Sequence, residues 1–100
     1  MTLETIAAKE LDWYIEDGGY WIIDLRSEEE YQERHIKGAV NIPQGELKPG
    51  WHIPQHMPLI LYCERGSRSR AMARKLAEKG YHVISVVGGI RAYRGKYLVA

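Results

Sequence analysis

The chain carries one cysteine, Cys63, and the seven residues after it, Glu64-Arg65-Gly66-Ser67-Arg68-Ser69-Arg70, hold three arginines, two serines and a glycine. A thiol followed at once by a glycine-containing, arginine-rich loop suggests nucleophilic or anion-binding chemistry. The thiolate is the reactive form of cysteine, and positive surroundings favour it. Upstream, after Pro58, runs the apolar stretch Leu59-Ile60-Leu61-Tyr62; downstream, residues 71–79 show a helical pattern closed by Gly80. Strand, loop and helix in that order place Cys63 at a strand's carboxyl end and at a helix N-terminus. Unpaired backbone N–H groups and the positive end of the helix dipole meet there. The anion they would stabilise is the thiolate, a bound oxyanion, or both. Arginines run against the usual preference of a helix N-terminus for Asp and Glu, so Arg65, Arg68 and Arg70 fit a loop that holds an anion. The plain alternative is a small buried hydrophobe, the commonest role of a free cysteine.

The elements that must position this loop can be read along the chain. Thr5-Ile6 is either a short strand or the approach to a helix. Ala7, Ala8, Leu11, Ile15 and either Trp13 or Tyr14 recur at helical spacing until Gly18-Gly19 stops them. Residues 20–25 form an apolar run too short for a helix, which suits a buried parallel strand with Asp24 and Arg26 at its end. Ser27 and Glu30 form a capping box for a short helix reaching Arg34, with Tyr31 as its inward anchor. Residues 39–42 predict another strand, and 44–57, with two prolines and two glycines, a loop with at most one helical turn. Met72, Ala73, Leu76 and Ala77 share one face of the helix after the cysteine, and Gly80 suits its C′ position. Residues 83–87 predict a last buried strand, and Gly88-Gly89 turns into a short helix around Ile90, Ala92 and Tyr93. Alternating strands and helices predict an α/β sheet with helices on both faces, whose ligands bind beyond the strands' carboxyl ends.

One hundred residues suit a single domain spanning 1–100. With 45% hydrophobic and 27% charged residues and a net charge of +1, the composition is that of an ordinary globular protein. It carries no footprint for nucleic acid or a membrane surface. No charged segment followed by an apolar core trails Met1, so a cytoplasmic location is expected; an exported protein bearing a new Met1 is the alternative. A single cysteine allows no internal disulfide, no cysteine-only metal site and no resolving thiol.

The order of motifs resembles one family. Asp24-Leu25-Arg26, Glu30-Tyr31, His35-Ile36-Lys37-Gly38-Ala39 and Asn41-Ile42-Pro43 are similar to the opening of a rhodanese domain. Cys63-Glu64-Arg65-Gly66-Ser67-Arg68 resembles its Cys-x-x-Gly-x-Arg loop. Leu76-Ala77, Gly80-Tyr81, Val83 and Val87-Gly88-Gly89 resemble its closing half, the small stand-alone bacterial form being the nearest kind. The resemblance implies a five-stranded parallel sheet and a sulfurtransferase that carries sulfur as a Cys63 persulfide, without cofactor or metal. Its donor would be thiosulfate or another sulfane sulfur; its acceptor, cyanide or a thiol, including a thiol protein. The backbone of Glu64, Arg65, Gly66, Ser67, Arg68 and Ser69 would cradle the terminal sulfur, with Arg68 and Arg65 facing a sulfonate. Two positions depart from the common pattern: Arg34 where many members have Gly, and Tyr93 where many have Trp.

Other readings compete. A cysteine phosphatase requires Cys-x5-Arg, but the matching position here is Ser69, with arginines one place short and one beyond. A non-catalytic rhodanese-like binding module is the alternative from another class, and a redox-sensing thiol is a third. Asp24 is expected to form an ion pair with Arg26 or another arginine in support of the site, and His35 to satisfy backbone groups near its turn. His52 and His56 have a metal-like spacing, but Pro54 between them opposes a helix there. Trp13, Trp21 and Trp51 are read as core or core-edge residues, and Arg70, Arg74 and Lys75 as a solvated face.

Overall fold

The computed structural model describes residues 2–46 and 56–100. Trp51, His52 and Pro54, and with them the paired-histidine spacing, lie outside the described residues. Strand β1 (Thr2–Ala7) leads through a 3-10 turn (Ala8–Glu10) into helix α1 (Leu11–Asp17), which ends at Gly18 in the left-handed region. β2 (Trp21–Asp24) follows, then α2 (Glu28–Glu33), whose Ser27–Glu30 capping box forms as the spacing predicts: the Glu30 N–H donates to Ser27 Oγ at 3.2 Å. β3 (His35–Ile36), β4 (Val40–Asn41), β5 (Leu59–Tyr62), α3 (Ser67–Glu78), β6 (His82–Val87) and β7 (Leu98–Val99) complete the order.

Five strands pair in parallel in the order β1-β6-β5-β2-β4. In the register Ile22 lies beside Ile60 and Ile60 beside Ile84. Because strand side chains alternate, this row sends Ile22, Ile60, Tyr62, Ile84 and Val86 to one face, against Leu11, Ile36, Ile90 and Tyr93. The intervening residues Ile23, Leu59, Leu61 and Val83 face α3, against Met72, Ala73, Leu76 and Ala77. Both faces are covered, which explains the unbroken apolar runs in the sequence. Each Leu or Met side chain so buried contributes about 1.5–3 kcal/mol. The helix α3 stops as expected: Gly80 takes φ +99°, the Tyr81 N–H reaches the Leu76 carbonyl at 3.1 Å and the Gly80 N–H that of Ala77 at 3.0 Å.

Two elements differ from the sequence expectation. Residues 2–7 form a full edge strand beside β6, and β3 and β7 pair antiparallel as a two-stranded ribbon, with His35 opposite Val99 and Ile36 opposite Leu98. Among the described residues no helix is long and apolar enough to cross a membrane, and no three His, Cys, Asp or Glu side chains are grouped to hold a metal ion.

Candidate active site

Cys63 follows directly on β5 and is buried. Its Sγ accepts two backbone hydrogen bonds, from the Gly66 N–H at 3.0 Å and the Ser69 N–H at 3.4 Å. Gly66 is the N-cap residue of α3 and offers no side-chain acceptor. Ser69 is the third residue of that helix, whose N–H is normally satisfied by a cap side chain. The sulfur of Cys63 takes that place. Donors of this kind, at the positive end of a helix, stabilise negative charge on the atom they face.

The helix begins four residues earlier than its apolar spacing suggests, at Ser67 rather than Ala71. Ser67, Arg68 and Arg70 in its first turn are exposed, so the turn carries little hydrophobic signal. The early start makes the loop tight. Gly66 lies at φ +103°, and a Cβ there would come within 2.9 Å of the Gly88 nitrogen and 3.3 Å of the Val86 carbonyl oxygen. A Cβ on Gly89 would meet the carbonyl oxygens of Cys63 and Glu64 at 2.5 and 2.6 Å. That closeness lets the Ile90 N–H donate to the Cys63 carbonyl at 3.0 Å and the Arg91 N–H to the Glu64 carbonyl at 3.1 Å. Behind the loop, the buried Ser69 Oγ donates to the Gly66 carbonyl at 3.0 Å and shares a hydrogen bond with the buried Ser85 Oγ at 2.9 Å.

Asp24 and Arg26, at the end of the adjacent strand β2, form the expected pair, almost wholly buried. Arg26 Nη2 lies 2.8 Å from Asp24 Oδ2, and Nε donates to Oδ1 at 3.1 Å. Burial works against the Arg26 charge, but the hydrogen bonds and charge of Asp24 outweigh it and raise the guanidinium's pKa. The pair is anchored on every side. Tyr62 Oη donates to Asp24 Oδ2 at 2.6 Å and accepts from the Ile36 N–H at 3.0 Å, while Arg26 Nη2 donates to the Arg34 carbonyl at 2.5 Å. Burial, then the Asp24 charge, pushes the Tyr62 hydroxyl well above the usual tyrosine range, which keeps it a donor. Arg26 Nη1 also reaches Glu64 Oε1 at 3.5 Å, and Arg91 Nε holds the other Glu64 oxygen at 3.3 Å. Glu64 is thereby tied back to this network. His35 stacks on the Tyr31 ring, and its Nδ1 lies 2.9 Å from the Tyr31 carbonyl, a structural arrangement of the kind expected.

Arg65, Arg68 and Arg70 are exposed, and no hydrogen bond or ion pair ties their side chains to other described residues. The charge of Arg68 reaches Glu30, whose pKa is lowered first by the Ser27 backbone hydrogen bond and in smaller part by Arg26 and Arg68. Arg65 and Arg70 line, with Gly66, Ser67 and Ser85, a cavity of about 310 Å³ on the β1 side of the loop. Residues the sequence reading passed over are Tyr62, Ser85 and Arg91. A tyrosine in an otherwise apolar buried strand must find a hydroxyl partner, and Ser85 interrupts an apolar run; both are signals of a buried network.

A model of the Rhodanese-like domain family matches residues 7–96. The tRNA sulfurtransferase of Desulfurococcus amylolyticus is 37% identical over 73 residues, covering 73% of this chain and 14% of that protein. The thiosulfate sulfurtransferase PspE of Escherichia coli is 35% identical over 75 residues, covering 72% of this chain and 71% of that one. In structure, protein SSP1007 of Staphylococcus saprophyticus superposes with a TM-score of 0.86 at 25% identity, covering 97% of this chain and 99% of that one.

Proposed function

The chain belongs to the rhodanese-like domain family, and on that premise we propose that it moves a sulfane sulfur through a persulfide on Cys63. Relatives named as sulfurtransferases support a sulfur-transfer role in general. The observation that carries the reading to Cys63 is its pair of amide hydrogen bonds at the mouth of α3. With thiosulfate as donor, the Cys63 thiolate attacks the outer sulfur. The Sγ–S bond forms, the donor's S–S bond breaks, and the electron pair departs with sulfite. The Gly66 and Ser69 N–H groups hold negative charge on sulfur before and after the step. Arg68 and Arg65, without a hydrogen bond or ion pair among the described residues, meet the sulfonate and the departing sulfite, each charged hydrogen bond contributing about 1.5–3 kcal/mol. An acceptor nucleophile, cyanide or a thiolate of a small molecule or protein, then attacks the terminal sulfur and returns Cys63 as thiolate. Asp24, Arg26 and Glu64 act at one remove, by fixing the loop.

The test is an intact-mass spectrum before and after thiosulfate, then after cyanide. The expected result is the gain of one sulfur atom, lost with release of thiocyanate, and no gain in Cys63→Ser, whose side chain is nearly the same size. Sulfur uptake by Cys63→Ser would refute the mechanism. No uptake by the native protein, with Cys63 still open to a thiol reagent, would favour a binding module.

A further inference from the structure

A groove of about 560 Å³, which shares no lining residue with the Arg65–Arg70 cavity, is lined by Arg34, Arg91, Tyr93, Arg94, Gly95 and Leu98. Three arginines line it. Arg91 is paired with Glu64, but that carboxylate is shared with Arg26, so the groove keeps an excess of positive charge. Arg94 is held in place by donating from Nη1 to the Arg91 carbonyl at 2.7 Å and the Tyr93 carbonyl at 3.0 Å. No hydrogen bond or ion pair occupies the Arg34 side chain among the described residues. Guanidinium groups fixed before a ligand arrives lose little freedom on binding, and their forked donors match carboxylates. The apolar wall, Tyr93 and Leu98, suits a short carbon skeleton. The volume lies in the range of small-molecule sites and exceeds what a thiosulfate ion fills. The groove adjoins the loop that carries the cysteine: Arg91, one of its lining residues, holds the Glu64 carbonyl through its N–H and a Glu64 carboxylate oxygen through Nε. Arg34 and Tyr93, the two departures from the family's common pattern, both line it.

We propose that this groove holds the carboxylates of a low-mass thiol that accepts sulfur, so that the acceptor is selected by its negative charge; this rests on the persulfide reading of Cys63. The thiolate of the acceptor attacks the terminal sulfur of the persulfide. A new S–S bond forms on the acceptor, the Cys63 S–S bond breaks, and the electron pair returns to Cys63, with no oxidant or reductant consumed.

The experiment compares mercaptosuccinate, a dicarboxylate thiol, with neutral 2-mercaptoethanol as acceptors, in the native protein and in the double variant Arg34→Gln, Arg94→Gln. The readout is the ratio of the two kcat/KM values, so the intrinsic reactivity of each thiol and any general damage cancel. The ratio should fall at least about tenfold in the variant, as expected for losing two guanidinium–carboxylate contacts. Calorimetry with succinate, which has no sulfur, should show binding to the native protein and its loss in the variant. An unchanged ratio, or succinate binding that is absent or equal in both, overturns the inference. If the native protein takes up no sulfur while succinate binding is lost in the variant, the persulfide reading and the acceptor role fall, and the dicarboxylate site stands.

Discussion

Gly66→Ala combines two separable costs, and Gly80→Ala isolates one of them. Both glycines sit in the left-handed region, Gly66 at φ +103° and Gly80 at φ +99°. An L-residue there costs roughly 1–2 kcal/mol. At Gly80 a new Cβ meets nothing within 4 Å, so that torsional cost is the whole expectation. At Gly66 the Cβ would press on the Gly88 nitrogen at 2.9 Å. This is backbone that cannot swing aside, and overpacking of this kind adds about 1–3 kcal/mol. Gly66→Ala should therefore lose roughly 2–5 kcal/mol in all, from the sum of torsion and overpacking. In urea unfolding its midpoint should drop by about 1–3 M, with a smaller drop for Gly80→Ala. The functional difference should be larger. Relieving the clash moves the Gly66 N–H off the sulfur that it holds at 3.0 Å, and losing one oxyanion-type donor costs about 10²–10³ in turnover. The thiosulfate–cyanide assay should show that loss in Gly66→Ala and near-native turnover in Gly80→Ala. Equal stability and equal turnover in the two variants would refute the argument that the close approach of Gly66 to Gly88 aims the donors.

The remaining predictions concern the loop's supports and its arginines. Arg26→Met should lose about 3–5 kcal/mol in urea unfolding, because it strands the buried Asp24 charge, and the double variant Asp24→Asn, Arg26→Met should lose less than the single one. Arg68→Ala should lower kcat/KM for thiosulfate by about ten- to a hundredfold, roughly 1.4 kcal/mol for each tenfold step, while a persulfide donor lacking a sulfonate is affected less. Burial, followed by its hydrogen bond to Asp12, pushes the Tyr93 pKa up to about 12. A raised folded pKa contributes stability that is complete below the unfolded value near 10 and is lost as pH rises through 12. The stability gap between the native protein and Tyr93→Phe, followed by denaturant titration, should therefore narrow between pH 10 and 12.

Most of the fold was legible because each core element advertises its period. The runs at 59–62 and 83–87 are apolar without interruption because both sheet faces are covered, and Met72, Ala73, Leu76 and Ala77 repeat at helical spacing. β1 was half-legible: only Ile6 of its central residues is buried, Leu3, Glu4 and Thr5 facing outward at the sheet's edge. The β3–β7 ribbon was not legible, since two residues per strand carry no period and the pairing joins His35 to Val99 and Ile36 to Leu98, 64 and 62 positions apart in the chain. The loop sequence located the cysteine and its anion-holding surroundings. It was silent on which amides turn toward sulfur, because that depends on a helix start hidden in exposed residues and on contacts made by another turn. The Asp24–Arg26 pair was visible as a motif, whereas its continuation through Tyr62, Glu64 and Arg91 arises only when three strand ends are brought side by side.

The backbone bonds from Ile90 and Arg91 to the Cys63 and Glu64 carbonyls bear on how such a site can be inherited or transplanted. A peptide unit points its N–H and its C=O in opposite directions, so fastening the carbonyls on one side helps commit the amides to the other. The instruction for the loop's polarity is thus written partly in the Gly88-Gly89 turn, far along the chain. Copying residues 63–69 onto another strand–helix junction would carry the thiol and the arginines but leave the peptide planes free to rotate. The heritable unit is the pair of turns, and the two segments are expected to change together or not at all.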